Sequence, residues 1–264
     1  MTRLATAFIL AFLTACATPS MTPHAAAVAE LAPTGKIRVA INYGNPVLAK
    51  KDAAGEPAGV SVDLARGLGR RLGVPVELVT YDAAGKVVEA TKTGAWDIAY
   101  FAIDPKRAEE VIFTGPYVVI EGAYLVAEGS PLGANEEVDR AGQRVVVGKG
   151  SAYDLHLSRT LKNATIVRAP TSAAVTDTFV AQKLEVAAGV KQQLEADSKR
   201  IPGLRMLPGR FMVINQAMAT HRGREAGAQY LHGFVEEMKA SGFVAEALAR
   251  HGIQGAGVAP PTPR

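Results

Sequence analysis

Arg107 is the side chain whose chemistry points most directly to a ligand. It follows a predicted strand over residues 97–102 and a short turn. Its guanidinium is always charged, and its planar fork matches the two oxygens of a carboxylate. The position therefore indicates a site for an anionic group. A surface ion pair between Arg107 and Glu109 or Glu110 is the alternative interpretation.

Ser151 is a second candidate for binding an anion. It directly precedes a helix predicted over residues 152–161, so its side chain can cap that helix. The N–H groups at the helix N-terminus can also bind a carboxylate oxygen. Capping alone explains Ser151 equally well, and both interpretations stay open.

Several other kinds of chemistry lack the residues they need. The chain has no G-x-S-x-G, S-x-x-K or G-x-x-x-x-G-K-[ST] motif, so neither a nucleophilic serine nor a phosphate-binding loop is predicted. The five histidines never occur at metal-ligand spacing, and the single cysteine excludes an intramolecular disulfide and a multi-cysteine metal site. We therefore expect no metal and no cofactor.

The composition is that of a globular protein that does not bind nucleic acid. The chain has 264 residues, of which 48% are hydrophobic, 20% charged and only 6% aromatic. Its 29 Lys and Arg exceed its 25 Asp and Glu by 4, and this excess is spread along the chain without a basic block. Nucleic acid is therefore not an expected partner.

Strands and helices alternate along the body of the chain, and no short internal repeat is visible. Leu64, Leu68 and Leu72 recur every fourth residue, which predicts a helix that Gly73 ends. Strands are predicted over residues 36–41, 76–81, 97–102, 144–148, 165–168 and 184–190, and further helices around residues 87–91, 152–161, 171–182, 222–239 and 243–251. This order predicts an α/β fold with a mostly parallel sheet.

The first residues carry a pattern that is typical of export. Arg3 precedes an apolar run over residues 4–13, which has the length of a secretory signal and is too short to span a bilayer. The run ends in Leu-Thr-Ala-Cys16, which resembles a lipobox. We therefore expect residues 1–16 to be a signal peptide, with Cys16 as the lipidation site, and residues 17–35 to be a tether. Cleavage near residues 25–27 without lipidation is the alternative.

Four motifs, in this order, resemble the signature of the bacterial extracellular solute-binding proteins, family 3. They are GVSVDLARGLGRRL (59–72), GAWDIA (94–99), DPKRAEEVIFTGPY (104–117) and VVVGKGSAY (145–153). The resemblance extends over residues 36–252, nearly all of the mature chain. The order and spacing of the motifs identify the family but not the ligand.

The resemblance implies a two-lobed α/β fold of the type II periplasmic-binding-protein kind. Two interlobe crossovers are expected near Gly122 and Asn215. Residues 36–122 and 215–252 would form lobe 1, and residues 123–214 would form lobe 2. The Gly- and Pro-rich residues 253–264 are expected to be a disordered tail.

The resemblance also implies where the ligand binds, in a cleft between the lobes. It puts Arg107 at the position that grips a ligand carboxylate. The other expected cleft residues are Asn42, Tyr43 and Asn45 on the loop after the first strand, Tyr100 and Ala102 on the strand before Arg107, Ser151 and Tyr153. For Tyr43 a place in the core is an equally good interpretation.

The run 187–192, AAGVKQ, departs from the family pattern. Amino-acid binders of this family have an Asp or Glu there that accepts the α-ammonium of the ligand, and this chain has none. A buried ammonium without a counter-charge is costly, so we do not expect a standard amino acid bound in the usual way. Lys191 would favour a second anionic group if its side chain reaches the cleft. A second departure, Ser61 in place of an acid, is interpreted as structural.

The resemblance implies that the protein is a monomeric solute-binding protein of an ABC importer and not an enzyme. It would capture a small anionic or zwitterionic solute, a carboxylate or an amino-acid-like compound, and pass it to a membrane permease. It would work in the periplasm, attached to the membrane by a lipid anchor. Two alternatives stay open: a periplasmic enzyme resembling dehydratases, which needs a general acid in the cleft, and a ligand-sensing protein that docks on a partner.

Overall fold

The computed structural model of the chain describes residues 22–263. Within this range the helices are α1 (Pro23–Leu31), α2 (Val60–Leu72), α3 (Ala84–Thr91), α4 (Ala152–Thr160), α5 (Val175–Ala181), α6 (Lys191–Arg200), α7 (Glu225–Ala240) and α8 (Phe243–Arg250). The strands are β1 (Ile37–Asn42), β2 (Lys50–Lys51), β3 (Pro57–Ala58), β4 (Val76–Tyr81), β5 (Ile98–Ala102), β6 (Val111–Ala127), β7 (Arg144–Gly148), β8 (Thr165–Ala169), β9 (Val186–Val190), β10 (Leu204–Met206), β11 (Met212–His221) and β12 (Gly257–Val258).

Ten of the described strands form one continuous sheet in the order β4-β1-β5-β11-β6-β9-β7-β8, with β10 and β12 also paired to β6. Strand β1 is parallel to β4 and β5, and β7 is parallel to β8 and β9. At the centre, β11 and β6 are antiparallel to their neighbours. The predicted α/β class is confirmed. We call β4, β1, β5 and β11 the first half of the sheet, and β9, β7 and β8 the second half.

Strand β6 belongs to both halves. It is 17 residues long; residues 111–122 pair with β11, and residues 122–125 pair with β9. At the changeover Gly122 lies opposite Met212, and a Cβ on Gly122 would lie only 2.7 Å from the Met212 Cγ. A larger residue at position 122 would therefore displace the Met212 side chain where the two central strands cross between the halves.

The helix predicted from the leucine spacing is present as α2. Leu64, Leu68 and Leu72 are all buried against the sheet. Gly73 ends the helix in the left-handed conformation, with φ of 70°, and its N–H donates to the Gly69 carbonyl. Local pattern and tertiary packing therefore agree here.

Two segments that composition assigned to a tether and to a disordered tail are ordered. Helix α1 packs on α7, and Ala27 and Leu31 are fully buried. At the other end β12 pairs with β6, Ala259 is 3% exposed, and the Lys239 ammonium donates to the Pro260 carbonyl at 2.8 Å. Both predictions were wrong for these residues because the segments gain their order from distant partners. The signal peptide and Cys16 lie outside the described residues.

An ion pair links the amino ends of the strands β1 and β5 in the first half of the sheet. Arg38, at the start of β1, donates from its backbone N–H and its Nε to one oxygen of Asp97 and from Nη2 to the other, at 2.8–3.0 Å. Its Nη1 donates to the Gly94 carbonyl at 2.7 Å. Arg224, beside the start of α7, donates to the same carboxylate at 3.0 Å. The fully buried Asp97 therefore joins β1, β5 and α7.

The second half repeats this arrangement. Arg144, at the start of β7, donates from its backbone N–H and Nε to Glu185 Oε2 and from Nη2 to Oε1, at 2.8–2.9 Å. Its Nη2 also donates to the Lys183 carbonyl, and Lys183, like Gly94, has a positive φ. The repeat is not visible in the sequence because 59 residues separate the first pair and 41 the second.

Asp97→Asn is expected to lower the free energy of unfolding by about 3 kcal/mol, because two arginines would then face a neutral amide in a buried position. Burial raises the pKa of the Asp97 carboxyl, but hydrogen bonds from Arg38 and Arg224 outweigh burial and hold that pKa below its ordinary value. The stabilisation is therefore complete above the unfolded pKa of about 4 and is lost as the pH falls through the lower folded pKa.

Urea unfolding at neutral and acidic pH measures this difference. The gap between wild type and Asp97→Asn should be widest at neutral pH and should narrow in acid. Asp82→Asn is the control, because Asp82 forms an exposed pair with Lys86 and its loss should change little. Equal stability of Asp97→Asn and wild type at neutral pH would contradict the role of this pair.

Candidate functional site

A cavity lies between the two halves at the carboxyl ends of the parallel strands. Asn42 ends β1, Ala102 ends β5 and Val190 ends β9, while Ser151 and Ser172 follow β7 and β8, and all five line the cavity. Ligands bind at this edge in open α/β sheets. The cavity has a volume of about 40 Å³, enough to hold water or a small solute.

Arg107 spans the cavity wall from one half to the other. It lies in the one-turn helix after β5 and is only 4% exposed. Its Nη1 donates to the Ala102 carbonyl at 3.0 Å in the first half, and its Nη2 donates to the Gly150 carbonyl at 2.9 Å, beyond β7 in the second half. Its Nε is buried without a hydrogen-bond partner in the described chain. Two of the five guanidinium N–H groups are therefore bonded to protein carbonyls, and the Nε–H is among those that have no partner in the described chain.

The charge of Arg107 is not paired with a carboxylate in the part of the chain that the structure describes. The sequence offered Glu109 and Glu110 as surface partners, but Arg107 is buried and bonded to carbonyl groups instead. Asp104, which is close enough to act on its charge, forms its own salt bridge with Arg159 at 2.7 Å. Burial lowers the pKa of Arg107 to about 10, so it stays charged at neutral pH.

Among the described residues, no acidic side chain lines the cavity. Besides Arg107, its polar lining consists of Asn42, Asn45, Ser61, Tyr100, Ser151, Tyr153, Ser172 and Gln216. The nearby Asp154 accepts from Arg168 at 3.0 Å and from the Gly150 N–H at 2.8 Å, so its charge is already offset. The wall can therefore balance a negative charge but holds nothing to balance a positive one.

Two tyrosines give the cavity neutral hydroxyl groups. The Tyr100 hydroxyl is buried without a partner in the described chain, while its ring contacts Tyr117 edge to face at 5.7 Å. The Tyr117 hydroxyl is already bonded to Ser61 at 3.1 Å. Burial raises the pKa of Tyr100 well above its ordinary value and that of Tyr153 to about 12. Both phenols therefore stay protonated and can donate.

Most of the residues singled out in the sequence meet in this cavity. Those that line it are Asn42, Asn45, Tyr100, Ala102, Arg107, Ser151 and Tyr153. Ser151 also caps α4, since its Oγ accepts from the Asp154 N–H at 3.1 Å. The two sequence interpretations of Ser151 are therefore compatible.

Tyr43 and Lys191 do not line the cavity. The Tyr43 ring packs against the hydrophobic core and lies 5.8 Å from the Lys51 ammonium. Lys191 Nζ is bonded at 3.0 Å to Glu121, which also accepts from Arg210. The expectation for Lys191 depended on its side chain reaching the cleft, and the carboxylate of Glu121 holds it elsewhere.

Several lining residues were not predicted. Ser61 was interpreted as structural, and its hydroxyl both supports Tyr117 and faces the cavity. Gln216 lies on β11 directly opposite Ala102, so the pairing of two strands far apart in sequence brings it to the site. The sequence signal for Gln216 is only a polar residue inside an apolar run, which does not specify a binding site.

The two halves contact each other at the edge of the cavity. Besides Arg107 with Gly150, the Asp104–Arg159 salt bridge crosses from the first half to the second. The backbones meet at Gly85 and Gly150: a Cβ on Gly85 would lie 3.1 Å from the Lys149 carbonyl oxygen and 3.4 Å from the Gly150 Cα. Even a Cβ at Gly85 would therefore require the two backbones to shift by a few tenths of an ångström, and a branched side chain would require more.

The sequence matches the family described as "Bacterial extracellular solute-binding proteins, family 3" over residues 37–253. No curated protein matches the chain. Within residues 22–263, none of the helices combines the length and apolar character needed to span a bilayer. The same residues contain no cluster of three or more His, Cys, Asp or Glu side chains arranged to hold a metal ion.

Solved structures of the same fold include three with named ligands or activities. The solute receptor for L-cysteine of Neisseria gonorrhoeae is 23% identical, with a TM-score of 0.74, and the match covers 86% of this chain and 92% of that one. A mutant of ArgBP from T. maritima is 20% identical (TM-score 0.73; coverage 85% and 98%). An ancestral amino acid-binding protein, a precursor of cyclohexadienyl dehydratase, is 21% identical (TM-score 0.71; coverage 84% and 98%). These likenesses show the fold.

Proposed function

The chain belongs to the bacterial extracellular solute-binding proteins, family 3, and on this premise we propose that it captures a small carboxylate between its two halves for delivery to the permease of an ABC importer. The observation that carries the proposal is the buried, unpaired guanidinium of Arg107 in a cavity whose described lining has no acidic side chain. The solute is the partner of that charge.

A buried cation needs a counter-charge, since carbonyl groups offset only part of the cost of removing it from water. The Nε of Arg107 has no acceptor in the described chain and Arg107 lines the cavity, so a solute bound there can supply a carboxylate oxygen to the guanidinium. A hydrogen bond between ionised groups in a closed site is shorter and stronger than one between neutral groups. Binding of an anion therefore completes both the hydrogen bonding and the charge balance of Arg107.

The charge balance of the cavity also disfavours an obligatory α-amino group on the solute. An ammonium would add a second positive charge near Arg107, where no lining carboxylate in residues 22–263 can accept it. The neighbours that are named as amino-acid or L-cysteine binders share the fold at about 20% identity. We therefore propose a carboxylate whose deaminated form binds as well as, or better than, the amino acid.

We do not propose an enzyme, although one neighbour is named as a precursor of cyclohexadienyl dehydratase. A dehydratase needs a general acid beside its substrate. The described lining of the cavity has no Asp, Glu or His, and its tyrosines hold their protons tightly because burial raises their pKa. Binding without chemistry fits this set of side chains better.

Arg107→Ala is expected to weaken binding of the best carboxylate by about ten- to a hundredfold, the loss of a charge-assisted hydrogen bond of about 1.5–3 kcal/mol. Arg107→Lys keeps the charge without the fork and should weaken binding by less. The ligand is first found by a thermal-shift screen of amino acids, their deaminated analogues and dicarboxylates, and the affinities are then measured by calorimetry.

Arg210→Ala is the control, because Arg210 is exposed and pairs with Glu121. Its affinity should equal that of the wild type. If Arg107→Ala binds the solute with an affinity within about twofold of that of the wild type, Arg107 does not anchor the carboxylate. Tight binding of an amino acid but not of its deaminated analogue would contradict the absence of an ammonium site.

We also propose that the halves are lobes that close on the solute. Lobe 1 comprises residues 36–122 and 215–252, lobe 2 comprises residues 123–214, and both crossings run through the paired strands β6 and β11. The contacts of Arg107 with Gly150 and of Asp104 with Arg159 are made only when the lobes are together. Such hinge closure is a common response of binding proteins to their ligands.

Gly85→Val is expected to prevent full closure, because its side chain would meet the Lys149 carbonyl and Gly150 of the other lobe. Small-angle scattering with the solute should show compaction in the wild type and less compaction in the variant, with weaker binding. Gly233→Val is the control, since a Cβ there has no neighbour within 4 Å. Equal compaction in all three proteins would contradict a closure contact between Gly85 and Gly150.

Attachment to the membrane through Cys16 is part of the proposal, with the mature protein acting as a monomer in the periplasm. Cys16→Ser removes the thiol that a lipid would modify. We expect the variant to move from the membrane fraction to the soluble periplasmic fraction, as followed by fractionation and by the mass of the mature N-terminus. Unchanged membrane association, or a mature N-terminus beyond Cys16, would contradict lipidation.

A further inference from the structure

We propose that the cavity selects a compact acid that carries a hydroxyl or carbonyl oxygen next to its carboxylate, and that the Tyr100 hydroxyl recognises this second oxygen. The inference rests on the proposed function, in which Arg107 holds the carboxylate. It adds the class of the solute and assigns a specificity-determining role to one side chain.

The first observation is the unpartnered hydroxyl of Tyr100. Tyr100 is 4% exposed, its hydroxyl has no hydrogen-bond partner in the described chain, and it lines the same cavity as Arg107. Buried hydroxyls are almost always bonded, because an unbonded one loses its water without replacement. The Tyr100 O–H and the Arg107 Nε–H, two donors without a partner in the described chain, therefore belong to residues that line the same cavity.

The second observation is that the neighbouring protein groups are already engaged. The Tyr117 hydroxyl, on the ring that contacts Tyr100, is bonded to Ser61. Ser151 accepts from the Asp154 N–H. No acceptor in the described chain is bonded to the Tyr100 hydroxyl, and an oxygen of the solute can take that place. A neutral phenol suits a hydroxyl or carbonyl oxygen, since it would not offset the positive charge of an ammonium next to Arg107.

The third observation is the size of the cavity. Its volume of about 40 Å³ is small for a ligand pocket. The Tyr100 and Tyr153 side chains share the wall with the apolar Leu48 and Ile214, and in the described chain no lining residue other than Arg107 carries a charge. Two-carbon and three-carbon acids fit this description, whereas a long polar side chain on the solute does not.

Four acids of similar size test the assignment by calorimetry at millimolar concentration: acetate, glycolate, pyruvate and glycine. The wild type should bind glycolate or pyruvate about tenfold more tightly than acetate, the effect of one added hydrogen bond. Tyr100→Phe should remove this preference, because the aromatic ring is kept and only the hydroxyl donor is lost. Tyr124→Phe, which removes another buried hydroxyl outside the cavity lining, should keep the preference.

The wild-type ranking tests the proposal without any variant, and thermal unfolding confirms that each variant is folded. Equal binding of acetate, glycolate and pyruvate, a preference that survives in Tyr100→Phe, or no binding of any of the four acids would overturn the inference. Only a loss of the Arg107 dependence, or tightest binding of glycine, would overturn the proposed function as well. The two failures are therefore distinguishable.

Discussion

A guanidinium buried without a carboxylate partner is the constraint on which the rest of the site depends. Arg107 is held by one carbonyl from each half, Ala102 on one side and Gly150 on the other, and both halves must approach for this to happen. Asp104, which is close enough to act on the charge of Arg107, is engaged by Arg159 across the same boundary. The positive charge of Arg107 therefore makes the cavity electropositive, because no acidic side chain in its described lining balances that charge.

Paired charges lie at the amino ends of the parallel strands, and the unpaired charge of Arg107 lies at their carboxyl ends. At the amino ends, Arg38 with Asp97 and Arg144 with Glu185 neutralise each other through the same pattern of donors. At the carboxyl ends, the strands finish in small or polar residues around Arg107. The scaffold is therefore stabilised by complete ion pairs at one edge, while the other edge remains free to bind a solute.

The cavity differs in character from one built for a zwitterion. A zwitterion needs an acceptor for its ammonium as well as a donor for its carboxylate, and the described lining offers one cation and otherwise neutral hydroxyls and amides. The chain shares its fold with amino-acid binders at about 20% identity, and this likeness does not determine the solute. The site, and not the fold, determines which solute is bound. In the function that we propose, the neutral phenols would provide shape and hydrogen bonding, and Arg107 would provide the charge.

The sequence by itself determined the α/β class, because leucine spacing, strand-forming runs and turn residues are local features. The family followed from the resemblance of four motifs in order. It also singled out Arg107, Asn42 and Ser151, each of which follows a strand end that chain order alone can locate. Tertiary structure decided the rest. The repeated ion pairs join residues 59 and 41 positions apart, α1 and β12 are ordered by packing against distant elements, and Glu121 takes Lys191 away from the cavity. Gln216 reaches the site only because β11 pairs with β5, and whether the Tyr100 hydroxyl has a partner depends on which groups folding brings beside it.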